Sequence, residues 1–329
     1  MLDGAAAGRY AFPAVNVTSS QTLNAAMRGF AESCSDGIVQ VTVGGARYLS
    51  GTQDALSGAR AFAALGRELA ERYPVAIALH TDHCPPAEAD SFLWPLLAES
   101  AARVERRELP LFHSHMFDGS TLPLAENLRI SSALLDRCRE LGIVLEVECG
   151  VVGGEEDGIG GEDVGRDRLY TTPEDLLRVA DALGTGARGR YLLAATFGNV
   201  HGVYAPGQVQ LRPQILADGQ QALARTHAGA RFQYVFHGSS GSSREELRAA
   251  VDNGVVKVNL DSETQYAFTR AAAEHMIDNR DGVLAPEPAS GDKRAYDPRA
   301  WGAKAEIAMA ERVAQACEQL GSAGRSIAA

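Results

Sequence analysis

Histidines and acidic side chains gather at the ends of short apolar runs in this chain of 329 residues. The run 75–82 closes on His80-Thr81-Asp82-His83, the run 111–115 on His113-Ser114-His115, and the run 143–148 on Glu146-Val147-Glu148. Further along, 191–196 leads into Asn199-Val200-His201, and 232–237 ends at His237. Imidazoles arriving from separate runs suit a zinc ion, whose borderline-soft character favours nitrogen and which keeps a coordination position open for chemistry. One histidine at such a place is more commonly a hydrogen-bonded structural residue. The set changes that reading: His80, His83, His113, His115, His201 and His237 are six of the eight histidines, and several stand beside carboxylates.

Two further groups carry chemistry. Gly153-Gly154-Glu155-Glu156-Asp157-Gly158 has the composition of a solvated acidic turn, but glycines on both sides would also let a carboxylate swing over a site and exclude water. His237-Gly238-Ser239-Ser240-Gly241-Ser242 leads into a helix with a capping box expected at Ser242 and Glu245, and Asn259-Leu260-Asp261-Ser262 leads into a helix beginning near Thr264. A Gly/Ser loop alone is an ordinary turn. Two such loops before helix N-termini, in neighbouring strand order, are where phosphate is cradled by free backbone N–H groups.

The elements that must position these groups alternate. Apolar, β-branched stretches at 11–17, 37–43, 75–82, 111–115, 143–148, 191–196, 232–237 and 255–260 read as eight strands. Segments of helical period at 20–31, 55–71, 126–141, 173–183 and 245–252 lie between them. An open doubly wound sheet would favour a Gly-rich turn after its first strand, and Val15-Asn16-Val17-Thr18-Ser19 has none. The expected fold is therefore α/β, a TIM (β/α)₈ barrel with a C-terminal helical extension near 301–320, forming a single domain over 1–329. Two segments exceed the barrel plan: 150–172, read as a lid loop, and 282–299, read as a surface excursion.

Composition narrows the partners. The chain is 45% hydrophobic and 22% charged, with no apolar run near the roughly 20 residues that cross a bilayer, so no membrane role is expected. A formal charge of −11 would repel a polyanion, which argues against nucleic acid. Cys34, Cys84, Cys138, Cys149 and Cys317 form no CxxC pair, and residues 1–10 carry no secretory pattern, so a cytoplasmic address with reduced thiols is expected.

Over nearly its whole length the chain closely resembles the class II fructose-1,6-bisphosphate aldolases. The resemblance rests on Tyr10-Ala-Phe-Pro-Ala-Val-Asn16, Ala78-Leu-His-Thr-Asp-His-Cys84, Ser114-His-Met116, Val152-Gly-Gly-Glu-Glu-Asp-Gly158, Ala195-Thr-Phe-Gly-Asn-Val-His-Gly-Val-Tyr204, Asp261 with Thr264-Gln265, and Tyr296-Asp-Pro-Arg299. It implies a zinc-dependent lyase that reversibly cleaves fructose 1,6-bisphosphate into dihydroxyacetone phosphate and glyceraldehyde 3-phosphate through a metal-stabilised enediolate. By the same resemblance His83, His201 and His237 would hold zinc, with Glu148 an additional ligand when the ion shifts. Asp82 would protonate the aldehyde oxygen during condensation, and Glu156 would take the proton from the ketone's hydroxymethyl carbon. Asn16, Thr42, Gly202, Gly238, Ser240, Asn259, Asp261 and Ser262 would line the substrate and phosphate site, and Arg299 would reach the substrate phosphate of a second subunit. A monovalent cation, Na⁺ or K⁺, near Gly202 and Gly238 and a homodimer or homotetramer are also implied. No Schiff-base lysine is needed; of the lysines Lys257, Lys293 and Lys304, Lys257 alternates with Val256 and Val258 and reads as structural.

Departures cluster near the substrate. Ala205 stands where the family typically has lysine, and Ser239 where it usually has the second glycine of His-Gly-Gly-Ser-Gly, adding a Cβ where backbone must approach a ligand. Thr42-Val43 and Asp261-Ser262-Glu263-Thr264 also differ from the usual pattern while keeping hydroxyls. These changes set up a competing expectation, a paralogue acting on a different ketose or aldehyde in a specialised biosynthetic pathway. A third alternative, a non-catalytic metal-binding protein, is disfavoured by the presence of both Asp82 and Glu156.

Overall fold

Along the apolar runs, residues alternate between two buried environments, one inside the sheet and one beneath the helices. The computed structural model describes residues 1–150, 155–156, 159–160, 169–199, 210–286 and 290–328, with backbone alone at 155–156 and 159–160. The strands are β1 (Phe12–Asn16), β2 (Gly37–Val41), β3 (Ile77–Thr81), β4 (Ser114–Phe117), β5 (Val144–Cys149), β6 (Glu155–Glu156), β7 (Ile159–Gly160), β8 (Tyr191–Ala195), β9 (Tyr234–Phe236) and β10 (Val255–Leu260). Eight of them form a closed barrel in the order β1-β10-β9-β8-β5-β4-β3-β2, every pair parallel, while β6 and β7 pair antiparallel within 150–172. This is the (β/α)₈ architecture expected from the strand count.

One set of alternate residues fills the barrel. Phe12, Ala14, Ile38, Leu192, Ala194, Val235 and Val256 form an interior cluster, closed at one end by Met1 and by Leu2 and Ala5 of the leading helix Leu2–Gly8. The other set, including Val15, Val39, Leu79, Leu145, Val147, Leu193 and Phe236, packs outward into the strand–helix layer. Each such side chain, fully buried, stabilises the fold by roughly 1.5–3 kcal/mol before entropy is counted. Moving two residues further along a strand keeps a side chain inward but changes its character: Ala14 gives way to Asn16, Ile38 to Gln40, Ala78 to His80 and Val144 to Glu146. The barrel is thus apolar at its base and polar at its C-terminal rim.

Helices Ser20–Glu32, Ala55–Ala70, Leu124–Leu141, Pro173–Leu183, Gln214–Thr226, Arg244–Asp252 and Ser262–Asp278 cover the outside, and Pro298–Leu320 packs on Ser20–Glu32 and Ser262–Asp278. Thr42 ends the β2 tip as the N-cap of Val43–Ser50, its Oγ1 accepting from Gly45 N at 2.9 Å. That short helix sits close to Ala55–Ala70 because position 58 is glycine: a Cβ there would lie 1.8 Å from the carbonyl oxygen of Ala46. No helix among the described residues is long and apolar enough to cross a membrane.

Three local expectations shift. The fourth strand begins at Ser114 rather than ending at His115, so His113 precedes it; its Nδ1 accepts from Leu79 N at 2.9 Å and holds the strand register rather than standing at a tip. Leu111 and Phe112 look strand-like because they are buried, but Phe112 stacks on Phe62 in the outer layer. The capping box is Ser243 with Glu246, one residue beyond the Ser242/Glu245 expectation, since both pairs have the same spacing. The helix after β10 starts at Ser262, earlier than Thr264, with Asp261 as its N-cap residue.

Candidate active site

The polar rim is built around Asp82, one residue past the end of β3. Its Oδ2 accepts from Asn16 Nδ2 at 3.0 Å and Gln40 Nε2 at 2.9 Å, and its Oδ1 from Asn259 Nδ2 at 3.1 Å. Three amides from three strands fix both oxygens of a fully buried carboxylate. Burial would raise its pKa, but the positive charge that His83, Lys257, His237 and His80 can carry outweighs burial and holds it down to about 2. The chain then turns sharply, placing His83 at φ 21°, a left-handed backbone that a β-substituted residue adopts only at a cost.

That turn aims His83 at His237, which directly follows β9. Their rings stand edge to face, with His83 Nε2 2.8 Å from His237 Nδ1. Each ring is held from behind by a carboxylate: His83 Nδ1 lies 3.0 Å from Asp118 Oδ2, and His237 Nε2 lies 2.7 Å from Glu146 Oε1. If each imidazole gives its N–H to the carboxylate behind it, the two remaining nitrogens converge as acceptors, and Asn259 Nδ2 approaches the one on His237 at 3.1 Å. Carboxylate-backed histidines converging in this way are the usual support of a metal ligand pair. Donor atoms of Asp82, His83 and His237 lie within 4.8 Å of one another, as do those of His83, Asp118 and Glu148.

Charge points the same way. Asp82, Glu146 and Glu148 are at most 2% exposed, and the one buried ammonium among the described residues is Lys257. Its Nζ pairs with Glu146 Oε2 at 2.9 Å and donates to Asn259 Oδ1 at 2.7 Å. A break in the β9–β10 register between Val255 and Lys257 turns both Val256 and Lys257 inward, where strict alternation would allow only one. Burial opposes ionisation of Glu146, yet Lys257, with His80 and His237, keeps it well below the usual carboxylate range. His80 is lowered to about 4 by burial and by Lys257, so it is neutral near pH 7. Among the described residues this rim holds three deeply buried carboxylates and one buried ammonium, an excess of two negative charges that suits a divalent cation. The donor set fits a metal of the zinc type, with imidazole nitrogens and nearby carboxylates.

Loops after β9 and β10 form the adjoining wall. Gly238 has φ 63° and Gly241 φ 86°, both in the region that favours glycine. Between them Ser239 lies outside the left-handed region, and its Oγ donates to the carbonyl oxygen of Asn259 at 2.9 Å. The added Cβ is therefore accommodated without backbone strain. Asn199 Nδ2 donates to the His237 carbonyl at 2.9 Å, and Asp261 Oδ1 accepts from Gln265 Nε2 at 2.6 Å.

Of the residues singled out from sequence, Asn16, Asp82, His83, Glu148, His237, Gly238, Ser240, Asn259, Asp261 and Ser262 lie on the rim or on its two loops, and Thr42 caps a helix at the β2 tip. His201, Gly202 and Ala205, and the side chain of Glu156, lie outside the described residues. Arg299 is exposed and paired with Asp297 at 2.7 Å. His115 is buried against Thr81 Oγ1 at 2.7 Å and Phe112, and burial lowers its pKa to about 3, so it is a neutral packing residue. Gln40 and Asp118 were not anticipated, although both continue the inward alternation, Ile38 to Gln40 and Ser114 through Met116 to Asp118. Because Glu146 fixes the His237 tautomer, Glu146→Gln is expected to weaken metal affinity about 10–100-fold, measured by competition with a chelator; unchanged affinity would show that the carboxylate is not needed.

The sequence model for "Fructose-bisphosphate aldolase class-II" matches residues 1–325. Over 99% of its length the chain is 57% identical to a fructose-bisphosphate aldolase of Streptomyces galbus, covering 96% of that protein. It is 52% identical to one of Mycobacterium leprae, covering 100% of this chain and 96% of the relative. The crystal structure of a fructose-bisphosphate aldolase from Campylobacter jejuni superposes with a TM-score of 0.86 at 34% identity, covering 99% of this chain and 94% of that one.

Proposed function

This chain belongs to the class II fructose-bisphosphate aldolases, and from that premise we propose which of its residues cleave the sugar and which ion assists them. The protein is a metal-dependent lyase of carbohydrate metabolism acting on a phosphorylated sugar. The resident ion is zinc, held by His83, His237 and His201, with Glu148 as an alternative ligand. When bound, it polarises the ketone carbonyl and offsets the negative charge that develops there.

In the cleavage direction the Asp82 carboxylate accepts the proton of the hydroxyl beside the scissile carbon–carbon bond, and that bond breaks to release the aldehyde. Three amide donors fix both of its oxygens, which aims the carboxylate at a defined position on the rim. Glu156 then delivers a proton to the hydroxymethyl carbon of the three-carbon product. In condensation each step reverses: Glu156 removes that proton and Asp82 protonates the aldehyde oxygen. Gly238, Ser240, Asn259, Asp261 and Ser262, with Gly202, bind the ketone phosphate through the hydroxyls of Ser240 and Ser262 together with N–H groups at the start of Ser262–Asp278 and in the loop before Arg244–Asp252. Asn16 orients Asp82, and Thr42 borders the site from β2. A monovalent cation near Gly202 and Gly238 and a homo-oligomer in which Arg299 reaches a neighbouring subunit's substrate complete the reading. An intracellular, cytoplasmic enzyme accords with five unpaired cysteines.

The observation that carries this reading is the pair of carboxylate-backed imidazoles facing each other beside Asp82. A retro-aldol assay tests it: fructose 1,6-bisphosphate should have the highest kcat/KM in a panel of phosphorylated ketoses. A ketose turned over more efficiently would move the protein to the competing, specialised role that Ala205 and Ser239 raise.

A further inference from the structure

We propose that Ser239 is a positioning residue that braces the two phosphate-binding loops against each other and so sets substrate affinity. The proposal rests on the reading of those loops as a phosphate cradle. Ser239 is 4% exposed, and its hydroxyl donates to the carbonyl oxygen of Asn259 at 2.9 Å, joining the loop after β9 to the C-terminal end of β10, where the next loop begins. Its own carbonyl accepts from Ser242 N at 3.0 Å, closing a turn around Ser240 and Gly241.

The segment 237–243 is pinned at three points. Asn199 holds the His237 carbonyl, Asn259 holds the Ser239 hydroxyl, and the Ser243/Glu246 box fixes the start of the following helix. Gly238 and Gly241 supply the two left-handed turns, so the position between them is free to carry a side chain. Glycine at 239 would lose the middle pin and gain backbone freedom that must be frozen each time a phosphate binds. The pin has a second end. Asn259, whose carbonyl receives the hydroxyl, donates through its amide to Asp82 and accepts from Lys257, so the brace joins the phosphate wall to the residue that orients the acid. A hydrogen bond that only maintained the fold would not distinguish a phosphate-bearing ligand from the free enzyme. A brace that spaces two N–H-bearing loops does.

The test compares Ser239→Ala, Ser239→Gly and Ser240→Ala in the zinc-loaded enzyme, reading KM and kcat for fructose 1,6-bisphosphate, the inhibition constant of inorganic phosphate, and melting temperature. Ser239→Ala should raise KM and the phosphate inhibition constant together by about threefold to tenfold, the factor one buried hydrogen bond carries, with kcat within about twofold. Ser239→Gly should raise both further. If both constants stay at wild-type values in Ser239→Ala while Ser240→Ala raises them, the brace is refuted and the cradle stands. If all three variants bind phosphate as wild type does, the cradle reading fails and the brace with it. A fall in kcat or melting temperature with phosphate inhibition unchanged would assign Ser239 to folding alone and also overturn the proposal.

Discussion

Treating the zinc-loaded enzyme with a chelator should reduce turnover of fructose 1,6-bisphosphate by about 10³-fold or more, the equivalent of losing about 4 kcal/mol of charge stabilisation at the ketone carbonyl. Adding zinc should restore it. The expectation follows from the site's electrostatics as much as from its ligands. Asp82, Glu146 and Glu148 are buried, and Lys257, paired with Glu146, is the one buried ammonium among the described residues, so removing a divalent cation leaves negative charge in excess in a space with little water to screen it. Chelation should therefore lower the melting temperature as well. Full turnover after exhaustive chelation, with metal content verified, would end the metal assignment for His83 and His237.

Replacing Asp82 with alanine should lower kcat by about 10²–10⁴-fold, the range for loss of a positioned general acid or base. KM should change far less, because the loop after β9 keeps its contacts at His237, Ser239 and Ser243 when this side chain is removed. Asn16, Gln40 and Asn259 all spend an amide N–H on this carboxylate, so the cavity left by alanine would be lined by three donors seeking an acceptor, and some loss of stability should accompany the loss of rate. Glu156→Ala should depress kcat over the same range. Wild-type kcat in either variant would remove that residue from the chemistry.

How much of this could be read without coordinates depends on period. Along β1, β2, β3 and β5 the inward residue turns from apolar to polar one layer below the rim, and a two-residue period displays that switch directly in the sequence. Asp82, His83, Glu148 and His237 could be found because they lie at the ends of such runs. Asp118 escaped for the opposite reason: with the fourth strand read as ending at His115, it fell into a loop, whereas the strand runs Ser114–Phe117 and Asp118 is its next inward residue. The same error of register promoted His113 and His115, one a brace on Leu79 and the other a neutral residue of the outer layer. Lys257 was recognised as structural, but its partner was not, because a register break between β9 and β10 is a property of two strands and leaves no mark on either alone. Ser239 looked like a defect in a glycine loop; the flanking glycines, which take the left-handed turns, make it tolerable.

The inward turn of Lys257 also decides what kind of covalent chemistry this barrel avoids. An amine on an interior strand, close to a ketone, is the ingredient from which an imine is made, and imine formation needs a neutral nitrogen with its lone pair available. Here the nitrogen is clamped between Glu146 and Asn259, 2.9 Å from one carboxylate oxygen and 2.7 Å from an amide oxygen, so it is held by the protein's own groups. Borohydride added during turnover of fructose 1,6-bisphosphate should therefore leave the enzyme's mass and activity unchanged, whereas a trapped sugar adduct on Lys257 would show that the clamp does not prevent imine formation.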